Sequence, residues 1–261
     1  MNLEAIKKLC DTDVNTLKKF LIKFLQKKGY SRIFNREDYI IAEGDIPICL
    51  VAHVDTVFSS YKNFYFLPDE MRWFYDSSQD LLWKAYGAGF DDRAGLYAII
   101  EIVKAGYRPH IIFTDEEEIG GIGAQSIIAD FKSPPFFCSF LIQLDRRGGK
   151  DAVFYECDNE NFTKYITSFD FEKMPGTFSD ICFIAPAWKR AAVNLSVGFI
   201  DEHTESERLY CYLCDATIEK VKMILEDNKT NSKIYPFIRK KSYPSNQNNS
   251  LENNFDFDKK I

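Results

Sequence analysis

The chain has 261 residues and a formal net charge of −6, and its acidic and basic residues are interspersed. No basic face favours nucleic acid, and no apolar stretch approaches the roughly 20 residues that cross a bilayer. We therefore expect neither a nucleic-acid nor a membrane partner. The seven cysteines, an odd number, include several inside apolar runs. This pattern is typical of reduced thiols and predicts a cytoplasmic protein.

Hydrophobic periodicity predicts helices and strands that alternate along the chain. A helix begins at Val14, where apolar residues repeat at helical spacing, and it ends near Gly29. Further helices are predicted at 94–104, 124–131, 162–168 and 207–225, with a buried segment at 181–184. Strands are predicted at 31–34, 39–42, 46–52, 83–86, 110–114, 137–144, 152–156 and 192–197, and 62–75 is expected to form a hairpin or an irregular excursion.

This alternation predicts an α/β fold in which a mostly parallel central sheet has helices on both faces. We expect one domain over residues 1–226. From residue 227 onward Asn, Lys and Ser dominate, which predicts a loosely attached or disordered tail at 227–261. Cys211 and Cys214 have the spacing of metal ligands, but no second pair accompanies them. They are expected to face the core from a helix.

Side chains that bind divalent metals follow apolar runs at five places in the sequence. The carboxyl ends of parallel strands lie at one edge of a sheet, where ligands bind in open α/β folds. Two imidazoles and three carboxylates could form a paired-metal hydrolytic site, with one further carboxylate left for proton transfer. The candidates are His53, Asp91, the adjacent Glu117 and Glu118, Asp145 and His203.

Each candidate alone has an ordinary explanation. A histidine after a strand is commonly a loop residue, and Asp91 at the start of a helix is typical of a cap. The acidic run 115–118 would form a solvated loop, and Asp145 would pair with the two arginines that follow it. The third histidine, His110, precedes its strand and therefore lies at the opposite end of the sheet. We interpret His110 as structural.

The order and spacing of these groups resemble the co-catalytic zinc exopeptidase superfamily, which includes zinc aminopeptidases, carboxypeptidase-like peptidases and related deacylases. The resemblance covers about residues 10–226. Asp-Asp-Arg-Ala-Gly at 91–95 and Glu-Glu-Ile-Gly-Gly-Ile-Gly-Ala at 117–124 look most like the glutamyl-aminopeptidase branch. Ala-His-Val-Asp-Thr-Val at 52–57 and Asp-Arg-Arg-Gly at 145–148 look more like the peptidase–deacylase branch.

The resemblance implies a pair of divalent metal ions that Asp91 bridges. His53 and Asp145 would complete the ligands of one ion, and Glu118 and His203 those of the other. The superfamily pattern also implies a cis peptide bond after the bridging aspartate. Zinc fits this set of imidazole and carboxylate ligands, although such sites would also accept cobalt or manganese.

The resemblance also gives roles to carboxylates beside the ligands. Glu117 takes the place of the general base, which accepts a proton from the attacking water and passes it to the leaving amine. Asp55, two residues after His53, could hold the unused ring nitrogen of this histidine. Ser179 and Asp180 lie in a segment that resembles one near the substrate pocket. They are weak candidates for substrate contact or for support of the ligands.

Many members of the superfamily carry an inserted satellite domain. Here Asp91 lies 38 positions after His53, and His203 lies 58 positions after Asp145, so neither interval can hold one. We therefore expect a single three-layer α/β/α catalytic domain without a lid, as a monomer or a small homo-oligomer.

Three functions are compatible with this pattern. The leading hypothesis is a metal-dependent exopeptidase of the aminopeptidase type, which acts on peptides. The second is a metal-dependent amidohydrolase that removes the acyl group from N-acyl amino acids or related small amides. The third is a non-catalytic binding module on the same scaffold, although the complete ligand set and the retained Glu117 count against it.

Overall fold

A computed structural model describes residues 1–58, 72–230 and 232–241. The described strands are β1 (Ile33–Asn35), β2 (Tyr39–Ala42), β3 (Ile46–His53), β4 (Trp73–Asp76), β5 (Leu81–Lys84), β6 (Pro109–Thr114), β7 (Phe140–Arg146), β8 (Asp151–Val153), β9 (Glu172–Lys173), β10 (Ala192–Ser196), β11 (Phe199–Ile200) and β12 (Arg208–Tyr210). The described helices are α1 (Leu3–Asp11), α2 (Val14–Lys27), α3 (Phe90–Lys104), α4 (Ile122–Asp130), α5 (Glu160–Thr167), α6 (Ile181–Trp188) and α7 (Cys211–Asp227).

Eight strands form the central sheet in the order β1-β2-β6-β3-β7-β10-β8-β9. The four middle strands, β6, β3, β7 and β10, are parallel to their neighbours within this group. β1 and β2 form an antiparallel edge, and β8 returns antiparallel to β10. The mostly parallel α/β sheet predicted from the sequence is therefore confirmed at its centre.

Side chains of the central strands enter two separate cores, because successive residues of a strand point to opposite faces. In β3, Ile48, Leu50 and Ala52 pack with α1, α2, α3, α5 and α7. Cys49 and Val51 between them pack with α4 and α6 on the other face. Each fully buried aliphatic side chain contributes about 1.5–3 kcal/mol to folding. The predicted three-layer arrangement is confirmed.

A second sheet of four antiparallel strands, in the order β11-β12-β5-β4, was not predicted. Within it, the predicted strand at 83–86 lies two residues earlier. The helix expected at 207–225 begins only at Cys211, because the backbone of β12 pairs with β5. Of the predicted excursion at 62–75, residues 73–75 lie in β4, which ends at Asp76, and residues 62–71 lie outside the described residues.

Helix ends also differ from the predictions where local polar groups decide them. α1 was not predicted; it begins after Asn2, whose side chain accepts a hydrogen bond from the Ala5 N–H. α3 begins four residues earlier than expected, at Phe90. The buried segment 181–184 is the first turn of α6. Cys211 and Cys214 lie on α7 and are fully buried, as predicted.

The described part of the predicted tail contacts the domain. Tyr235 is only 7 % exposed, and its ring packs against those of Phe140 and Phe162. Arg239 forms a β-bridge with Cys157. These contacts attach residues 232–241 to the domain, because this short stretch carries an aromatic ring that the core buries. The rest of the predicted tail, at 242–261, lies outside the described residues. In the described ranges, every helix is too short or too polar to span a membrane.

Candidate metal centre

The candidate ligands meet at the carboxyl edge of the central sheet. His53 is the last residue of β3 and pairs with Thr114, the last residue of β6. Val51 pairs with Gln143 of β7, which places Asp145 beside the end of β3. Because these strands are parallel, residues distant in sequence reach one edge.

The first cluster joins His53 with two aspartates. His53 Nε2 lies 3.1 Å from Asp91 Oδ1 and 3.5 Å from Asp145 Oδ1. His53 is buried, with 1 % of its surface exposed. Burial lowers the pKa of His53, but its contacts with Asp145, Asp55 and Asp91 outweigh this effect and raise the pKa well above its usual value.

The second cluster joins Asp91 with Glu118 and His203. His203 Nε2 lies 3.2 Å from Asp91 Oδ2 and 2.9 Å from Glu118 Oε2. In each cluster the candidate ligand atoms lie within 4.8 Å of one another. Asp91 belongs to both clusters and presents a different oxygen to each histidine. This arrangement is the one that a bridging carboxylate requires.

Asp91 is held in this position by the unusual start of α3. The peptide bond between Asp91 and Asp92 is cis, as the resemblance implies. Asp91 and Asp92 both have non-helical backbone angles inside the helix. Gly89 precedes them with φ of 71°, and a Cβ there would lie 2.6 Å from Thr56 Oγ1. Glycine is therefore required at this position.

Glu207 holds the same loop through its backbone. Its carboxylate accepts hydrogen bonds from the N–H groups of Ala88, Gly89 and Phe90 through Oε2, at 3.3, 2.6 and 3.0 Å. Its other oxygen accepts the N–H of Asp91 at 3.0 Å. Glu207 is fully buried. Sequence reasoning missed this residue, because nothing in its local pattern shows which loop it contacts.

Asp55 joins His53 to the acidic loop after β6. His53 Nδ1 lies 3.2 Å from Asp55 Oδ1, so the ring can donate a hydrogen bond to the carboxylate. Asp55 also accepts the backbone N–H groups of Glu117 and Glu118, at 3.2 and 3.1 Å. The other ring nitrogen of His53 is thereby directed at the first cluster.

Asp145 is oriented by polar residues of the neighbouring strands. Its Oδ2 accepts hydrogen bonds from Gln143 Nε2 at 3.0 Å and from Asn194 Nδ2 at 3.3 Å. Asn194 Oδ1 accepts the Asp145 N–H at 3.0 Å. These contacts leave Oδ1 facing His53. Gln143 and Asn194 were not predicted as site residues; a buried amide within an apolar strand is the sequence signal that could have found them.

Ser179 and Asp180 lie behind the ligands. Ser179 Oγ is hydrogen bonded to Gln143 and lies 3.4 Å from Asp145 Oδ2. Asp180 accepts a hydrogen bond from the Thr114 hydroxyl. Both side chains are fully buried. This placement favours the supporting role over substrate contact.

His110 lies away from the cluster. Its ring stacks on Phe136, with the ring centroids 3.8 Å apart. Its Nε2 lies 2.8 Å from the Phe137 carbonyl oxygen, and its Nδ1 accepts the Gly44 N–H at 3.1 Å. These contacts account for both ring nitrogens, and the structural interpretation of His110 is confirmed.

The clustered carboxylates need positive charge. Burial and the negative charge of Asp91 raise the pKa of Asp145 to about 7. Burial, with Asp145, Asp180 and Asp91 nearby, raises the pKa of Glu117 to about 9. Within the described part of the chain, no lysine or arginine forms an ion pair with Asp91, Glu118 or Asp145.

Divalent cations fit this donor set. They would remove the repulsion among the carboxylates, and the imidazole and carboxylate donors match the ligands that zinc prefers. The orientation of His53 by Asp55 is also typical of metal-binding histidines.

Both clusters open into one cavity of about 420 Å³. Asp91, Glu117, Glu118, Asp145 and His203 line it. Arg146, Arg147, Glu202, Gly120, Thr177, Phe178 and Phe199 form the rest of the wall. Such a volume is within the range of about 300–1,000 Å³ that is typical of small-molecule sites.

Comparison with known proteins shows that this chain is similar in fold, but not in sequence, to several solved structures. No protein-family model matches the chain, and no curated protein matches its sequence. Aminopeptidase PepT from Bacillus cereus superposes with a TM-score of 0.69 at 13% identity, over 86% of this chain and 97% of that one. A tripeptidase from Staphylococcus aureus superposes with a TM-score of 0.69 at 13% identity, over 88% of this chain and 98% of that one. A Zn-dependent exopeptidase from Parabacteroides distasonis superposes with a TM-score of 0.57 at 16% identity, over 81% of this chain and 89% of that one.

At such low identity these superpositions establish architecture. The resemblance drawn from the motifs agrees with them, since the neighbours are described as an aminopeptidase, a tripeptidase and a Zn-dependent exopeptidase. The chain therefore has the same fold as these solved peptidase structures.

Proposed function

We propose that the chain is a metal-dependent exopeptidase of the aminopeptidase type. The observation that carries the proposal is the convergence of two candidate ligand clusters on the two oxygens of Asp91, with Glu117 facing the same cavity. The descriptions of the neighbouring structures as an aminopeptidase, a tripeptidase and a Zn-dependent exopeptidase support the proposal.

In this proposal the two clusters would hold a pair of divalent ions, with zinc as the first candidate. His53, Asp91 and Asp145 would hold one ion, and Asp91, Glu118 and His203 the other. When bound, these ions would lower the pKa of a water and polarise the amide carbonyl.

Glu117 is the proposed general base. Its carboxylate accepts the proton that the attacking water loses as the new C–O bond forms, and it then donates this proton to the amine nitrogen as the C–N bond breaks. Asp55 fixes the position of the Glu117 loop relative to the ring of His53, because it is hydrogen bonded to both.

Glu117→Gln tests the assignment of the base. The amide has nearly the shape of the carboxylate but cannot accept the proton, so we expect kcat to fall by about 10²–10⁴-fold while the zinc content stays the same. Glu116→Gln is the matched control, since Glu116 is the adjacent but exposed residue of the same loop. Near-full activity of Glu117→Gln would show that another group is the base.

The competing amidohydrolase function keeps the same site and changes the substrate. A panel of unblocked peptides and N-acyl amino acids, assayed with zinc, cobalt and manganese, separates the two. We expect cleavage of the unblocked peptides. Cleavage of N-acyl amino acids alone would replace the peptidase proposal with the deacylase one, and cleavage of neither class would favour a binding module.

A further inference from the structure

Two consecutive arginines line the cavity beside the candidate ligands. Arg146 and Arg147 directly follow the strand-end Asp145. A planar guanidinium group binds a carboxylate through two parallel hydrogen bonds, which makes arginine a preferred partner for this anion. The proposed peptidase mechanism uses neither arginine.

Arg147 is the better placed of the two to contact a ligand. Its Nη1 lies 3.0 Å from Glu202 Oε1, and 56% of its side chain is exposed. This contact uses one of the five N–H donors of a guanidinium group. A substrate carboxylate in the cavity could therefore bind the Arg147 guanidinium group without breaking its contact with Glu202.

Arg146 is held more loosely than its burial suggests. Its Nε lies 3.5 Å from Asp151 Oδ2, and its Nη2 donates to the Pro175 carbonyl oxygen at 3.4 Å. Its Nε atom is buried and donates no hydrogen bond to any of the described residues. Arg146 thus adds positive charge to the wall of the cavity while it makes only long contacts.

The shared cavity limits how far such a carboxylate lies from the scissile bond. Arg146 and Arg147 line the same cavity of about 420 Å³ as Asp91, Asp145 and His203. A residue of an extended chain spans at most about 3.3–3.6 Å, so one or two residues beyond the scissile bond are enough to carry a carboxylate across a cavity of this size.

We propose that Arg147, with Arg146 beside it, binds a free carboxylate of the substrate one or two residues from the scissile bond. This inference rests on the proposed function and narrows it. The substrates are then di- and tripeptides with an unblocked C terminus. N-acyl amino acids carry a carboxylate at a similar distance, and the substrate panel separates the two sources.

Paired substrates test the inference. We expect the zinc-loaded chain to cleave a dipeptide and a tripeptide with a free C terminus at a kcat/KM at least about tenfold higher than their C-terminal amides. N-acetylated forms of the same peptides form a third arm. Preference for the acetylated acids over the unblocked acids would assign the carboxylate to N-acyl substrates.

Arg147→Gln should lower kcat/KM for the free acids by about 10- to 100-fold, or about 1.4–2.8 kcal/mol at 1.4 kcal/mol per tenfold. The value for the amides should stay within about twofold. Arg32→Gln is the matched control, since Arg32 is 54% exposed and pairs with Glu43 at 2.7 Å. Arg32 precedes β1 at the opposite end of the sheet, so its replacement should change neither value.

The failure of this inference differs from the failure of the proposed function. Equal cleavage of acids and amides, or an equal loss for both in Arg147→Gln, would overturn the inference and leave the peptidase function in place. If no peptide is cleaved, the proposed function fails. Calorimetric titration of the same peptides onto the zinc-loaded chain then decides the inference: tighter binding of the acids supports it, and equal binding overturns it.

Discussion

Glu207→Gln tests whether the bridging position of Asp91 depends on its backbone. The Glu207 carboxylate accepts four N–H groups from residues 88–91. In the variant, the amide oxygen can take the place of Oε2 and keep three of these bonds. The amide nitrogen must then face the N–H of Asp91. Both groups are hydrogen-bond donors, so this hydrogen bond is lost.

The expected magnitude follows from that single lost bond. Leaving one buried N–H without a partner costs about 1–3 kcal/mol, so the free energy of unfolding should fall by this amount. The N–H group that loses its acceptor belongs to Asp91, the residue that both clusters share. Replacing a residue that supports a metal ligand typically lowers metal affinity by about 10–100-fold, and we expect a loss of this size for zinc.

Two measurements on the same samples separate positioning from general stability. Calorimetric titration of the metal-free chain gives the zinc affinity, and urea unfolding gives the free energy. Glu219→Gln is the control, because Glu219 is 69% exposed and pairs with Lys222 on the outside of α7. If Glu207→Gln lost stability but bound zinc as tightly as the unaltered chain, the positioning role would be refuted.

Three further predictions follow from the site. Asp55→Asn should lower zinc affinity by about 10–100-fold in calorimetry, since it disturbs the ring of His53 and the loop after β6; an unchanged affinity would contradict this role. Removal of metal by a chelator should lower the melting temperature, and zinc at 100 times its Kd should restore about 2.7 kcal/mol; an unchanged melting temperature would argue against a metal site. His110→Phe should lower the free energy of unfolding by about 1–3 kcal/mol without changing zinc stoichiometry, and a loss of zinc would revise its structural role.

The central sheet could be predicted because local pattern and burial agree there. The run from Ile46 to His53 is almost wholly buried, and continuous apolar runs are typical of parallel strands covered on both faces. The second sheet escaped prediction because its strands are short. β12 has three residues, and only its pairing with β5 distinguishes it from the start of a helix.

The candidate ligands were also visible in the sequence, since each follows an apolar strand or opens a helix. His53, Asp91, Glu118, Asp145 and His203 all belong to the two clusters of the structure. The residues that hold them were less visible. Glu207 and Asn194 act across distances of more than 40 residues in sequence, and no local spacing reports such a contact.

The sequence by itself determined which chemical groups end the strands of this protein, because the alternation of apolar and polar residues is a local property. Only the tertiary structure decided that the two oxygens of Asp91 face different histidines, and that Arg147 shares their cavity. The reason is physical: the parallel order of β6, β3, β7 and β10 gathers distant strand ends, and buried polar contacts then fix the direction of each side chain.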